Sequence, residues 1–521
     1  METQPWISVR FLDGIDGLAE TGFADLLTQA HKIADIVLPV PPAASGLWRI
    51  LYLITARITE LDDFGRLGTL KEWKRARRRV LEAGQLDPDD VHRYFAEYAG
   101  KFDLFDVERP WLQDPRLAEE CAKSTGINKL VIGRAAGNNL VWLSHHTDLD
   151  PQPIRAAEAA WYLLAWSFYG PSGKITARTV NGRTESNMAA GPLRSRISFH
   201  PLGRNLFESL VLGIPYPGGE HARRPDADLA PWEENWDEHQ PDPLGLPPTR
   251  KGLSGLLTGQ FRQALLLSPS PDGSQVTDAW ITWAWRMQPT EIPDPYLIYD
   301  MPRNGGMPFA RYAKADRAIW RDLDALLLQG EMRQPPVFGH LPDASATGPL
   351  RVRAFGFDQD GQTVDKQWFT ASTPPVLTMR DRDGAEPEYD HARDIGHTRV
   401  AAERVGSDLR QALRRAWFAL SDPEDGRGKM RQDSGDGPWV PQGMSRYWPQ
   451  AEALFWQMVG ERDFGYPNNA FIRVALTAYD EMTERHARRG PRVARALERA
   501  RGGIFATWTP AAQPPPEEQS A

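Results

Sequence analysis

Trp161-Tyr-Leu-Leu-Ala-Trp-Ser-Phe-Tyr-Gly170-Pro-Ser-Gly-Lys174 carries an apolar, aromatic segment into a loop that holds two glycines, a proline and a lysine. The apolar part continues a pattern that begins at Pro153 and predicts a helix through Phe168. Glycine has no Cβ, so the loop backbone can come close to another molecule. Lys174 adds a positive charge suited to phosphate. The spacing does not fit a phosphate-binding P-loop, which places four residues between its first glycine and Gly-Lys-Ser/Thr. Here only Pro171 and Ser172 separate Gly170 from Gly173, and Ile175 follows Lys174. Two readings stand: a loop that touches nucleic acid without hydrolysing nucleotide, or a helix C-cap followed by a turn.

Upstream, from Trp6 to about Pro115, the text is mainly helical. Leu26–Ile36 and Leu47–Leu61 show apolar residues at helical spacing, separated by the breaker Pro39-Val-Pro-Pro42. Lys71-Glu-Trp-Lys-Arg-Ala-Arg-Arg-Arg79 is a basic run on a predicted helix, either a solvated face or a docking surface for RNA or protein. Residues 126–150 read as strand and loop, with Lys129-Leu-Val-Ile132 and Leu140-Val-Trp-Leu143 as strand candidates around Gly137-Asn-Asn139. Downstream, Ala264–Leu267, Ala279–Trp285 and Leu350–Gly356 alternate as strands, the last leading into Phe357-Asp-Gln-Asp-Gly361, a hairpin signal. From about His397 the pattern becomes four helices: 400–420, 447–460, 469–486 and 493–507. A bundle is expected there. The Pro/Gln/Glu-rich tail 509–521 is expected to be disordered.

At 521 residues the chain exceeds one core, and its 41% hydrophobic and 25% charged composition is that of a globular protein. Nineteen tryptophans suit large packed cores and stacking surfaces alike. The net charge of −8 argues against a free-standing, nonspecific nucleic-acid binder, but not against local basic loops within an assembly. One cysteine, Cys121, excludes an intramolecular disulfide framework and a Cys-rich zinc site, and fits a reducing cytoplasm. Neither a secretory signal nor an apolar run of about 18 residues is present, so no membrane association is expected.

Catalytic patterns are weak. No Gly-x-Ser-x-Gly or His-Glu-x-x-His occurs. The nearest cluster is His145-His146-Thr-Asp148, the basis of an alternative reading as a metal-dependent hydrolase or nuclease. Adjacent histidines diverge on a strand, which disfavours a shared metal. The acid-rich segment 381–394, with His391 and His397, has no ligand spacing. Neither a catalytic residue, a metal ligand nor a cofactor is therefore assigned. Binding loops are better represented, in Gly137-Asn-Asn139 with Trp142, Gly170–Lys174, Arg303-Asn-Gly-Gly306 and the 357–361 turn. A stand-alone DNA-binding regulator is a further alternative.

Several runs carry a family resemblance. Phe102-Asp-Leu-Phe-Asp-Val-Glu-Arg-Pro-Trp-Leu-Gln113 resembles the signature of the large subunit (CasA) of the type I-E CRISPR Cascade complex. So do Ile127-Asn-Lys-Leu130, Gly191-Pro-Leu193 near Arg204-Asn-Leu-Phe207, and Asp294-Pro-Tyr296 with Ala318-Ile-Trp-Arg-Asp322. The agreement spans roughly residues 6 to 505. It implies an α+β protein, with a large mixed α/β N-terminal domain (1–395) carrying DNA-recognition loops and a C-terminal four-helix bundle (396–508). It implies a non-catalytic subunit of an RNA-guided surveillance complex, whose partners are target double-stranded DNA, the CRISPR guide RNA, other Cascade subunits and a recruited nuclease-helicase. The family's glycine loop falls on Gly170, Pro171, Ser172 and Gly173, with prolyl and seryl residues at two of its positions. Its lysine finger falls near Arg303 and Asn304, and its glutamine wedge on Gln359 with Asp358. The loop that meets the guide RNA and the rest of the complex falls on 128–147, with Asn128, Lys129, Asn138, Asn139 and Trp142.

Overall fold

Pro41 and Pro42, expected to break a helix, start one. The helix runs from Pro41 to Ile58, and proline loses nothing in a first turn whose N–H groups have no intrahelical partner. Every residue from Pro42 to Ala56 is buried, as expected of a helix that is apolar all round. It packs against the helices Ala156–Tyr169 and Leu206–Gly213. Gly46 permits the first of these approaches, since a Cβ there would sit 2.5 Å from Phe168 Cδ2.

The computed structural model describes residues 1–12, 17–137, 141, 143–218, 228–234, 242–247, 252–258, 261–287, 293–302, 304–328, 334–342, 350–360, 364–377, 391–421 and 435–508. The chain divides into two compact units, 1–319 with 329–378, and 320–328 with 379–521. The first is mixed α and β, around the buried helices just named. Its described strands form small antiparallel sheets. Ile7–Phe11 lies between Ala19–Thr21 and Ile33–Ile36. Gln275–Trp283 lies between Ile154–Arg155 and Gln263–Pro269. Arg351–Asp360 lies between Ile197–Leu202 and Val364–Ser372. Gly173–Val180 pairs with Arg183–Met188, and Tyr299–Asp300 with Phe309–Ala310.

Three sequence expectations are corrected here. The helix expected over 26–36 stops at Thr28, and Ile33–Ile36 becomes a strand because Ile7–Phe11 offers its edge. The strand expected at 129–132 is a single helical turn, Ile127–Leu130, entered through Gly126 at φ 93°. In the second candidate, 140 and 142 lie outside the described residues, and Leu143 sits in a turn at φ 61°.

Among the described residues, the second unit is built on His391–Ser421, against which the helices Trp439–Glu461, Pro467–Ala487 and Pro491–Gly502 all pack, followed by a 3₁₀ turn at Gly503–Thr507. Tyr447 and Tyr479 are buried and donate to the Ala402 and Leu497 carbonyls, each at 2.8 Å. Trp320 lies 4.6 Å from Phe455, and Arg321 pairs with Glu403 at 2.7 Å, so 320–328 belongs to this unit. The border expected at 395/396 falls inside the first of the four helices. The tail 509–521 lies outside the described residues.

Candidate functional site

The Ala156–Tyr169 helix ends without a left-handed glycine. Gly170 has φ −52° and ψ 143°, the extended form that a following proline imposes. Gly170 is the C-cap of this helix, its N–H donating to the Trp166 carbonyl at 2.9 Å, but the chain leaves it extended rather than left-handed. Gly170 is buried against its own chain, where a Cβ would lie 2.7 Å from the Trp166 carbonyl oxygen and 2.8 Å from Gln263 Cδ. Its carbonyl accepts from the Gly191 N–H at 2.8 Å. Gly173 is different. It is exposed, has φ +123° and no neighbour within 4 Å of a virtual Cβ. The outward half of the loop is therefore Ser172–Lys174, of which Gly173 and Lys174 open a strand.

Gln359 does not sit at the hairpin tip. It lies near the end of the strand Arg351–Asp360, beside a register shift between Asp358 and Gln359, and the tip 361–363 is outside the described residues. Its carboxamide is engaged at both ends. The Ser195 hydroxyl donates to Oε1 at 2.6 Å, and Nε2 donates to Asp365 at 3.2 Å. Asp365 also accepts from Arg194, which donates to the Tyr169 carbonyl at 2.8 Å. Arg194 lies over the Phe357 ring at 4.6 Å. Burial lowers the Lys129 ammonium pKa, against an upward pull from Asp365. Asp358 turns elsewhere and accepts from the Ala315 N–H at 2.9 Å.

Arg194, Ser195 and Asp365 were absent from the sequence reading. The basic text Arg194-Ser-Arg196 was the available signal. Ser195 adopts φ 63°, a conformation sparsely used by residues other than glycine and often concentrated at functional sites. No residue pattern announces it.

Asn304 is exposed in the turn joining Tyr299–Asp300 to Phe309–Ala310, where the Gly305 N–H donates to the Pro302 carbonyl at 3.2 Å. Arg303 lies outside the described residues. The approach to this hairpin is fixed by Arg49, fully buried, which pairs with Asp294 at 2.6 Å. Beside the hairpin opens a cleft of about 550 Å³, with Phe168, Arg196, Phe261, Met307 and Phe309 in its walls.

One apolar cluster lies beneath these loops. Phe168 and Tyr169 precede the glycine loop, Leu297 and Ala310 flank the Asn304 hairpin, and Phe357 lies two residues before Gln359; with Leu193 they pack together. Tyr299 and Trp368 close against the same cluster. Three segments far apart in sequence thus share a base.

The 128–147 loop is arranged otherwise. Asn128 is buried and donates to the Thr147 carbonyl at 2.9 Å and to Asp148 at 3.1 Å, acting as an internal brace. Asn138, Asn139 and Trp142 lie outside the described residues. Asp148 also accepts from the Gly137 N–H at 2.7 Å, and these two bonds hold its carboxyl below the usual range. The carboxylate on which the hydrolase alternative depends is committed to loop structure. Among the described residues, no three His, Cys, Asp or Glu side chains gather as a metal site. No described helix is long and apolar enough to cross a membrane.

Known proteins match this architecture along nearly its whole length. The family model described as CRISPR-associated protein Cse1 matches residues 2–489. The CRISPR-associated protein CasA/Cse1 of Thermus thermophilus is 27% identical over 417 residues, 75% of this chain and 74% of its own. A chain of a solved CRISPR RNA-guided surveillance complex is 47% identical with a TM-score of 0.85, covering 97% of this chain and 99% of that one. The crystal structure of Thermus thermophilus CasA has the same fold at a TM-score of 0.71 and 19% identity, covering 96% and 98%. With the family model spanning most of its length, the chain belongs to the CRISPR-associated protein Cse1 (CasA/Cse1) family.

Proposed function

We propose that this chain is the large, non-catalytic subunit of an RNA-guided antiviral DNA surveillance complex, and that its loops read the short motif beside the target in duplex DNA. The observation that carries this reading is the common apolar base from which the glycine loop, the Asn304 hairpin and the Gln359 strand arise. Gly173, exposed and without a Cβ, suits close approach of the backbone to the minor groove. There the bases present few distinguishing groups, and groove width and shape matter more. Asn304 supplies an amide for a base edge or phosphate. Gln359 is the wedge, released from Ser195 and Asp365 as it enters the base stack. Guide-RNA pairing then reads the sequence, while the protein reads motif and shape, as in other RNA-guided effectors. The partners in this reading are the guide RNA, the other Cascade subunits, target double-stranded DNA and a recruited nuclease-helicase.

The test is to assemble the complex with guide RNA and partner subunits, and to select from duplexes randomised next to a matched target. Enrichment of a short motif, weakened by Asn304→Ala, is the expected result. Selection without any adjacent motif, or equal binding by the chain without RNA and partners, would remove the reading.

A further inference from the structure

The basic run 71–79 is not used by the site above, and its geometry is specific. It lies in the helix Leu70–Ala83, started by Thr69, whose hydroxyl accepts from the Glu72 N–H at 3.2 Å. Trp73 and Arg77 are buried. Trp73 donates to the Leu61 carbonyl at 2.9 Å, and Arg77 stacks on the Trp73 ring at 4.2 Å while donating to the His340 carbonyl. These two residues fix the helix's rotation. Lys71, Lys74, Arg75, Arg78 and Arg79 are left on the opposite, exposed face, within an arc of roughly 140° at 100° per residue. Arg78 pairs with Glu82 at 3.2 Å. Among the described residues, no ion pair or side-chain hydrogen bond involves Lys71, Lys74, Arg75 or Arg79.

We infer that this face is a docking surface for the phosphates of duplex DNA flanking the recognised motif; the inference rests on the duplex-reading role proposed above. Three observations favour duplex DNA over other partners. The unpaired cations form a rigid row about 12 Å long from Lys71 to Arg79, at the helical rise of about 1.5 Å per residue. A row of that length meets several phosphates of a duplex. The exposed face carries no aromatic side chain on which single-stranded bases would stack, and no apolar centre of the kind protein interfaces bury. The helix also abuts the recognition region. Its Trp73 and Arg77 hold His340, at the end of Pro336–Gly339, and Pro336 lines the cleft beside the Asn304 hairpin.

The test uses the full chain assembled with guide RNA and partner subunits. Binding is measured on two target duplexes, one ending at the motif and one extended beyond it. The variant is K71A/K74A/R75A/R79A, all exposed positions, with K71R/K74R/R75K/R79K as the charge-conserving control. On the extended duplex the alanine variant is expected to bind about ten- to a hundredfold more weakly. Its log–log salt slope should be shallower by about 3 to 4, since each phosphate neutralised contributes about 0.9. The control should bind as the parent does, and on the short duplex all three proteins should agree. Equal losses on both duplexes, or no loss on either, would overturn the proposal. So would loss of a partner subunit from the alanine assembly with duplex binding unchanged, which would assign the face to a protein. A scrambled-motif duplex separates the two readings. If scrambling changes nothing while the flank effect persists, the motif-reading role fails and the phosphate surface stands.

Discussion

Gln359 shows how much a single side chain's neighbours alter its meaning. As sequence it is an amide in a hairpin turn; in the fold it is held between the Ser195 hydroxyl and Asp365. Under the proposed role its insertion exchanges two intramolecular hydrogen bonds for bonds to unstacked bases, each bond being worth roughly 1 kcal/mol net. Gln359→Ala should therefore slow duplex opening about tenfold or more, while leaving initial motif affinity within about threefold, given an unstacking cost of a few kcal/mol per step. A fluorescent base analogue beside the motif, followed by stopped flow, reports opening separately from binding. Equal loss of both would count against the wedge. Position 173 was legible as glycine, and its φ of +123° gives that residue type a physical reason. Gly170 was legible as the end of a helix, but its packing against Gln263 was not, because that contact joins segments 93 positions apart.

Among elements, legibility followed the range of the interactions that form them. The four C-terminal helices and the Ala156–Tyr169 helix showed themselves through a 3.6-residue period, a local property. The Trp439–Glu461 helix was read as starting only at Tyr447, because Pro441 and Pro449 interrupt the text. Pro441 falls in the first turn, where no N–H is needed, and Pro449 lies inside the helix. The hairpin signalled at 357–361 joins Arg351–Asp360 to Val364–Ser372, but strand pairing over longer range was not legible. Arg351–Asp360 pairs with Ile197–Leu202 about 150 residues away, and the Gly173–Met188 hairpin follows polar, basic text that alternates poorly. The helix Leu70–Ala83 was legible as basic, but which cations face solvent depended on where Trp73 is buried. Its start depends on Thr69, which accepts from the Glu72 N–H and donates to the Glu72 carboxylate at 3.0 Å. Thr69→Ala should lower stability by about 1 kcal/mol. Urea unfolding checks the magnitude, and faster amide exchange over the first turn localises the effect.

At the scale of the whole molecule, acid sensitivity has identifiable sources. His200 is fully buried, stacked 4.5 Å from the Tyr296 ring and bonded to Tyr52 and Ser198. Burial, then Arg49 and Arg353, push its pKa well below 6.5. The folded protein therefore keeps His200 neutral while the unfolded chain takes up a proton. Stability falls as pH drops below about 6.5, at up to about 1.4 kcal/mol per pH unit for one proton. His200→Gln should flatten that slope by one proton in denaturant titrations between pH 6.5 and 5, whatever it does to stability at pH 8. Asp114 acts lower. Burial raises its pKa, but Arg116 and Arg178 outweigh burial and leave it below 3.8. Its contribution is present above about pH 4 and lost as pH falls through the depressed value. The shared base beneath the three loops has a consequence of its own. Phe357 stacks on Tyr169 at 5.8 Å and packs with Leu297 and Ala310, so the three loops rest on one set of contacts. Under the proposed motif-reading role, Phe357→Leu should weaken motif affinity and slow opening together. In double-mutant cycles it should couple to both Asn304→Ala and Gln359→Ala by about 0.5 kcal/mol or more, above what independent sites show. Drift in any one loop would then be constrained by the other two, and, if the loops read a motif as proposed, a change of preferred motif would require concerted substitutions spread across nearly two hundred residues of chain.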